Sequence, residues 1–271
     1  VRVVVHRVGG VKLAALLGAV LLTAPMAVLA EETLPTPTVA VATLDADHAR
    51  FAAVLTAVIR ADGVDYAAVR ARRGDLDGYL AQLAAAPEPA DRTGKLALWM
   101  NAYNAWTLAV VERMLPAEPA GWPRWSIRDQ KPPLTPWKHF RFTVAGRAVT
   151  LDGIEHQILR PLGDPRIHVG INCASRSCPP LLPAPFTAAT VDAQLESAAR
   201  AFSASLYHVR IADGAVVANP ILSWFGEDFT AAGGVAGWLR PRTRPEVAAL
   251  LDRPIRFFDY DWRLNLAGAA P

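Results

Sequence analysis

The stretch Leu96-Ala97-Leu98-Trp99-Met100-Asn101-Ala102-Tyr103-Asn104-Ala105-Trp106-Thr107-Leu108 decides the fold. At 3.6 residues per turn it is apolar on nearly every side, so it lacks the wet face of a surface helix. The spacing predicts a helix over about 92–115 that the rest of the chain wraps. Asn101 and Asn104, three residues apart, fall on one side of it. A buried carboxamide needs partners for its oxygen and its nitrogen. Two roles fit: both Asn pin the backbone of neighbouring loops, or they serve a site, Asn101 by orienting a catalytic group and Asn104 by binding substrate.

Outward from this helix the periodicities are shorter. Phe51, Val54, Leu55, Val58 and Ile59 predict an amphipathic helix over 47–60, and Leu76, Tyr79, Leu80 and Leu83 a second that Pro87 ends. Between Pro116 and Pro136 period is lost, and Trp122, Trp125 and Trp137 either wall a cleft or seal the core. Phe140 to Val144 and Ala148 to Leu151 read as a hairpin around Gly146. Asp152 to Arg160 reads as a short helix with Asp152 as cap and Glu155 as the acid of a capping box. Arg166 to Asn172 reads as an inner strand, and Thr190 caps a helix carrying Leu195, Ala198, Ala199 and Phe202. A second hairpin turns at Asp213-Gly214, and Arg256 to Tyr260 is a final strand. These readings predict one α+β domain over 45–266, a buried central helix packed on a small, mainly antiparallel sheet, with 267–271 as a short tail.

The first thirty residues differ in kind. Arg2, Arg7 and Lys12 precede a nearly all-apolar run, Leu13 to Leu22, and Val28-Leu29-Ala30 offers small residues for cleavage. This is the pattern of a secretory signal peptide, with an uncleaved anchor as the rival reading. Residues 31–44, with Pro35, Pro37 and several Thr, read as an extended tether. Of 271 residues, 28 are Lys or Arg and 25 Asp or Glu, a formal net charge of +3. Loss of residues 1–30 removes the excess entirely, so a nucleic-acid partner is not expected. No later segment reads as a membrane span. The expected location is periplasmic or secreted, and the expected partner an envelope protein, a peptide or a small molecule. No cofactor or metal is expected.

Chemistry concentrates at His168-Val169-Gly170-Ile171-Asn172-Cys173-Ala174-Ser175-Arg176-Ser177-Cys178-Pro179. On a strand, His168, Gly170 and Asn172 project to one face, and that face leads to the loop bearing the chain's two cysteines. A histidine so placed can deprotonate Cys173 and make it a nucleophile for acyl transfer. Cys173 and Cys178 also sit at a separation a loop can close into a disulfide. Four readings stand: a disulfide clasp, a free functional thiol, a redox-active pair, and a metal site with His168 and His156. Glu155 is a further catalytic candidate, and His156 a binding one. Arg166 and Arg176 flank the segment and suit a carboxylate or phosphate; Arg166 beside Asp164 also suits a fold salt bridge. Tyr260, Asp261, Trp262 and Asn265 read as locks for the C-terminus.

Leu98-Trp99-Met100-Asn101-Ala102-Tyr103-Asn104, Asp152-Gly153-Ile154-Glu155-His156, the His168 to Pro179 run and Tyr260-Asp261-Trp262-Arg263-Leu264-Asn265 together resemble the DUF547 family, a domain of unknown function found in bacteria and plants. Asp62-Gly63-Val64-Asp65-Tyr66 also fits its opening. The resemblance covers about 45–266 and implies an architecture and a pattern of polar residues, with no reaction attached. The order of elements is also distantly similar to papain-like and transglutaminase-like enzymes, which place a cysteine at the start of a buried helix. Here that helix carries Asn101 and Asn104, so Cys173 would act from the strand end. Two function classes follow. One is a non-catalytic envelope binding or scaffolding module whose cysteines form a clasp. The alternative is a cysteine-dependent hydrolase or acyltransferase acting on a peptide or amide, with Cys173 as nucleophile and His168 as base.

Overall fold

Side-chain caps and prolines set where the helices begin and end. In the computed structural model, which describes residues 32–37, 43–128, 130 and 135–269, the first four helices are α1 (Ala49–Val58), α2 (Tyr66–Ala71), α3 (Arg73–Ala85) and α4 (Arg92–Met114). The Asp91 carboxylate accepts the Gly94 N–H at 2.7 Å and opens α4, and Pro116 follows its C-cap, Leu115. From Leu96 to Val111 every residue of α4 is buried. It packs against α2, α3, the turn Ile154–Leu159 and the helix Val191–Ala204. The all-round apolar pattern thus has its physical cause, a helix with neighbours on every side. The expected signal peptide, residues 1–30, lies outside the described residues.

Eight short strands are described: β1 (Glu32–Thr33), β2 (Ile59–Arg60), β3 (Gly63–Val64), β4 (Phe140–Val144), β5 (Arg147–Val149), β6 (Val209–Ala212), β7 (Ala215–Ala218) and β8 (Arg256–Phe257). They form three small sheets, ordered β1-β4-β5, β2-β3 and β6-β7-β8, where the sequence suggested one. The three hairpin pairs are antiparallel, while β1 on β4 and β8 on β7 are parallel. Both expected hairpin turns are present. Ala145-Gly146 and Asp213-Gly214 each place two consecutive residues at positive φ, at 50° and 69° and at 49° and 69°, the left-handed pair that suits the twist of a two-residue hairpin. With helices and small sheets around one central helix, the fold is α+β.

Two expectations are corrected here. Residues 32–37 are not a free tether: β1 lies along the edge of β4, the Leu34 N–H donates to the Arg141 carbonyl at 2.7 Å, and Leu34 is buried. An edge position tolerates Pro35 and Pro37, because one side of the strand needs no partner. The segment Arg166 to Asn172 is not a strand. Pro165–Val169 is a 3-10 turn, because the Asp164 carboxylate accepts the Arg166 N–H at 3.0 Å and Pro165 supplies the helical φ. Gly170 then lies so close to α4 that a Cβ would stand 2.2 Å from Met100 Cε. Among the described residues no helix is long and apolar enough to cross a membrane.

Candidate active site

The helix entering the site is capped two residues earlier than Asp152. Thr150 Oγ1 accepts the Gly153 N–H at 3.0 Å, which leaves Glu155 without the capping duty expected of it. Leu151–Gly153 is α-helical, and Ile154–Leu159 widens into a π turn, a distortion frequent at functional sites. This turn aims Glu155 inward, where its side chain is 13% exposed.

The cysteine loop is held from both sides. Asn104 receives the Asn172 N–H at 2.9 Å and donates to the Gly170 carbonyl at 3.1 Å. Asn172 donates to the Pro179 carbonyl at 2.7 Å and accepts the Ala174 N–H at 2.9 Å. From the other side the C-terminal segment runs past the loop, with bonds from Arg176 N to Arg263 O and from Asn265 N to Ala174 O. Ala174 is pinned at φ 65°, a left-handed conformation that costs a residue with a Cβ and persists only when its surroundings impose it.

Between the π turn and this loop opens a cavity of about 300 Å³. Cys173, Glu155 and His168 line its polar part; Tyr103, Trp137, Trp224, Phe225, Tyr260 and Trp262 supply aromatic wall. Trp224 is 51% exposed at this site. The two cysteines are free thiols, with sulfurs 3.0 Å apart. Cys173 Sγ also lies 3.0 Å from Ser175 Oγ and 3.4 Å from the Tyr260 hydroxyl. These donors, the Cys178 thiol first, draw the Cys173 thiol down to about 6. Burial pushes Cys178 well above the ordinary thiol range, so the charge rests on Cys173.

The neighbouring acid runs the other way. Burial, then the charge on Cys173, raises Glu155 to about 8, so at neutral pH it keeps its proton. Tyr103 donates to it at 3.4 Å. His168 is lowered to about 4 by burial, against the opposing pull of Asp228. Its Nε2 lies 2.7 Å from Asp228 Oδ2, and Arg160 grips the same carboxylate at 2.7 and 2.8 Å. The Phe225 ring stacks on the imidazole at 3.9 Å.

Other candidates fall away from the chemistry. Asn101 does not line the cavity; it donates to the Phe186 carbonyl at 2.7 Å and accepts the Phe186 N–H at 2.9 Å, a pure backbone clasp. Arg166 is a fold salt bridge, joined to Asp164 at 2.7 Å and Asp192 at 2.8 Å. Arg176 and Asn172 line a second cavity, of about 390 Å³, whose wall Cys178 shares. His156 sits on the rim near Asp152 and Arg160. His168 hydrogen-bonds to neither sulfur, so a direct Cys173–His168 pair does not form; its Nδ1 points 3.8 Å from Glu155 instead. Among the described residues no cluster of three or more His, Cys, Asp or Glu could hold a metal ion. Sequence reasoning missed Asp228, Trp224 and Phe225, and it gave Tyr260 and Trp262 only a locking role. Nothing local marks Asp228, which reaches His168 across sixty residues.

Residues 87–202 match the family model DUF547, described as a protein of unknown function. Over this segment the chain is similar to DUF547. The matched segment contains α4, the π turn and the cysteine loop, hence Glu155, His168 and both cysteines. The rest of the cavity wall, Ile221, Trp224, Phe225, Tyr260 and Trp262, is contributed by chain beyond the match. Comparison with curated proteins and with solved structures found no match.

Proposed function

We propose that this chain is an exported cysteine-dependent hydrolase or acyltransferase acting on an amide, with Cys173 as nucleophile and Glu155 as acid and base. The observation that carries the reading is that Cys173 and Glu155 line one open, aromatic-walled cavity, the thiol drawn down to about 6 by its hydrogen-bond donors and the carboxyl pushed up to about 8 by burial. Perturbation in opposite directions within one cleft is how acid and base roles are divided at neutral pH. The sequence reading gave the proton to His168; Glu155 takes that role here because it feels the charge on Cys173, while His168 is bonded to Asp228.

The proton count closes. Cys173 thiolate attacks the carbonyl carbon, and Glu155 gives its proton to the leaving nitrogen as the C–N bond breaks. A thioester now stands on an uncharged Cys173. Its negative charge was one of the forces holding the proton on Glu155, so the acid is released to act as a base. Glu155 then takes a proton from water, or from the amine or hydroxyl of an acceptor, as that group attacks the thioester. The C–S bond breaks, and thiolate and carboxylic acid are restored.

The leader supports export: its basic, apolar and small-residue order ends at Ala30, two residues before β1 begins. Mass spectrometry of envelope protein should find a chain starting at Glu31; a full-length, membrane-retained product would refute export.

The proposal is tested by alkylation. Reduced protein treated with iodoacetamide at pH 6–7 should be labelled at Cys173 faster than an ordinary thiol of pKa ~8.5, with Cys178 lagging. Slow and equal labelling would overturn the nucleophile. A second reading, a binding module with the thiols oxidised as a clasp, is favoured by one observation, the 3.0 Å sulfur separation. It predicts native protein with no free thiol by mass-tagging and lower stability on reduction.

A further inference from the structure

The cavity contains one buried polar atom that the acyl-transfer steps do not use. His168 Nδ1 is closed off from solvent and has no hydrogen-bond partner, although the imidazole side chain is only 1% exposed. An unmade bond of this kind is costly and calls for an explanation. The opposite side of the ring is fully committed. Asp228 Oδ2 lies 2.7 Å from Nε2, and Arg160 donates to both oxygens of that carboxylate through Nη2 and Nε. A carboxylate bound to a guanidinium accepts only. The proton of a neutral His168 therefore sits on Nε2, and Nδ1 is left bare. The atom facing that lone pair is Glu155 Oε1, at 3.8 Å.

Resting on the acyl-transfer reading, we propose that Arg160, Asp228 and His168 form a tautomer lock, positioning residues that keep a bare acceptor in front of Glu155 and so hold the proton on that acid between turnovers. A bare Nδ1 can accept the Glu155 O–H and can give nothing to a carboxylate, so it favours the protonated acid. An Nδ1–H would donate to the carboxylate and favour its ionised form. Which tautomer exists is decided at Nε2, about one ring width from Glu155, by a residue that never enters the cavity floor. The other groups facing Glu155 are Tyr103 from α4, Cys173 from its loop, and Asp152 and Arg160 from its own helix. Of these, Tyr103 and Arg160 favour the carboxylate, and Asp152 and Cys173 the acid. The lock adds to the second pair without adding a charge to the cavity, and it persists when Cys173 is acylated. That persistence makes Glu155 a moderate base in the second half-reaction and returns its proton promptly afterwards.

The test reads tautomer and proton separately from turnover. In protein with ¹⁵N-labelled histidine, the ring of His168 should show a protonated Nε2 and an unprotonated Nδ1 at pH 7. With ¹³C-labelled glutamate, the Glu155 carboxyl should titrate near 8. Asp228→Asn should mix the tautomers and lower that midpoint by about one unit, a tenfold loss of proton affinity, whereas Asp228→Glu should restore it. A protonated Nδ1 in the parent protein would overturn the lock, even if Asp228→Asn failed to fold. So would an unmoved Glu155 midpoint in a folded Asp228→Asn protein. If the lock reads out as expected but no amide is cleaved, the acyl-transfer reading falls and the lock stands.

Discussion

With Cys173 as the proposed nucleophile, Cys173→Ala should lower amide turnover by a factor on the order of 10⁴ or more, the scale of losing a covalent nucleophile, while the thermal transition should stay close to that of the parent. The side chain is only partly buried, and its bonds are to Cys178, Ser175 and Tyr260, which can re-pair among themselves. On the proposed mechanism the parent protein should show a bell-shaped profile of kcat/KM against pH. Activity rises through about 6 as the Cys173 thiolate forms and falls through about 8 as Glu155 loses its proton. Glu155→Gln cannot protonate the leaving nitrogen, so it should lower the rate on amides and remove the alkaline limb. On an activated thioester or phenyl ester, whose leaving group needs no proton, the same variant should retain most of its acylation rate. Full turnover by Cys173→Ala, or an alkaline limb unchanged in Glu155→Gln, would remove these residues from the chemistry.

Asn104→Leu should be among the most destabilising single changes in the chain. It leaves the Gly170 carbonyl and the Asn172 N–H without their partner in a buried site, Asn104 being 3% exposed and Asn172 4%. Each buried orphan costs ~1–3 kcal/mol, so the pair should cost about 2–6 kcal/mol out of a total stability of about 5–15 kcal/mol. In a chain of this size each kcal/mol lowers the melting temperature by about 2–4 °C. Asn101→Leu should destabilise comparably, because it strips both bonds from Phe186. The two differ in their effect on chemistry. Asn104 holds the backbone leading into Cys173, so its loss should slow alkylation of Cys173 in the folded fraction; Asn101 holds a different loop, and its loss should not. Equal labelling rates in both variants would show that the cysteine loop is positioned without Asn104.

The sequence by itself determined the central helix, because apolar residues on all sides leave a helix no surface to show to water. It determined the two hairpin turns, because Ala145-Gly146 and Asp213-Gly214 are local conformational demands that neighbours scarcely alter. It also carried the candidates Cys173, Glu155 and His168 on residue type alone. Other features were ambiguous within their own windows. Arg166 to Asn172 is seven residues long, and alternation over so short a run suits a strand and a turn equally; Asp164 and Pro165 were the signal for the turn. Asp152 and Thr150 are both competent caps, and choosing Thr150 released Glu155 from a structural duty.

What only the tertiary structure decided is which side chains meet. Asp228 joins His168, Tyr260 joins Ser175, and Trp262 joins Trp224, pairs brought together from distant parts of the chain. The Cys173 thiol becomes acidic through the Cys178, Ser175 and Tyr260 donors around it, against the effect of burial, and the Glu155 carboxyl stays protonated through burial and the charge on Cys173. Desolvation and through-space charge depend on distance in three dimensions and hardly at all on order along the chain.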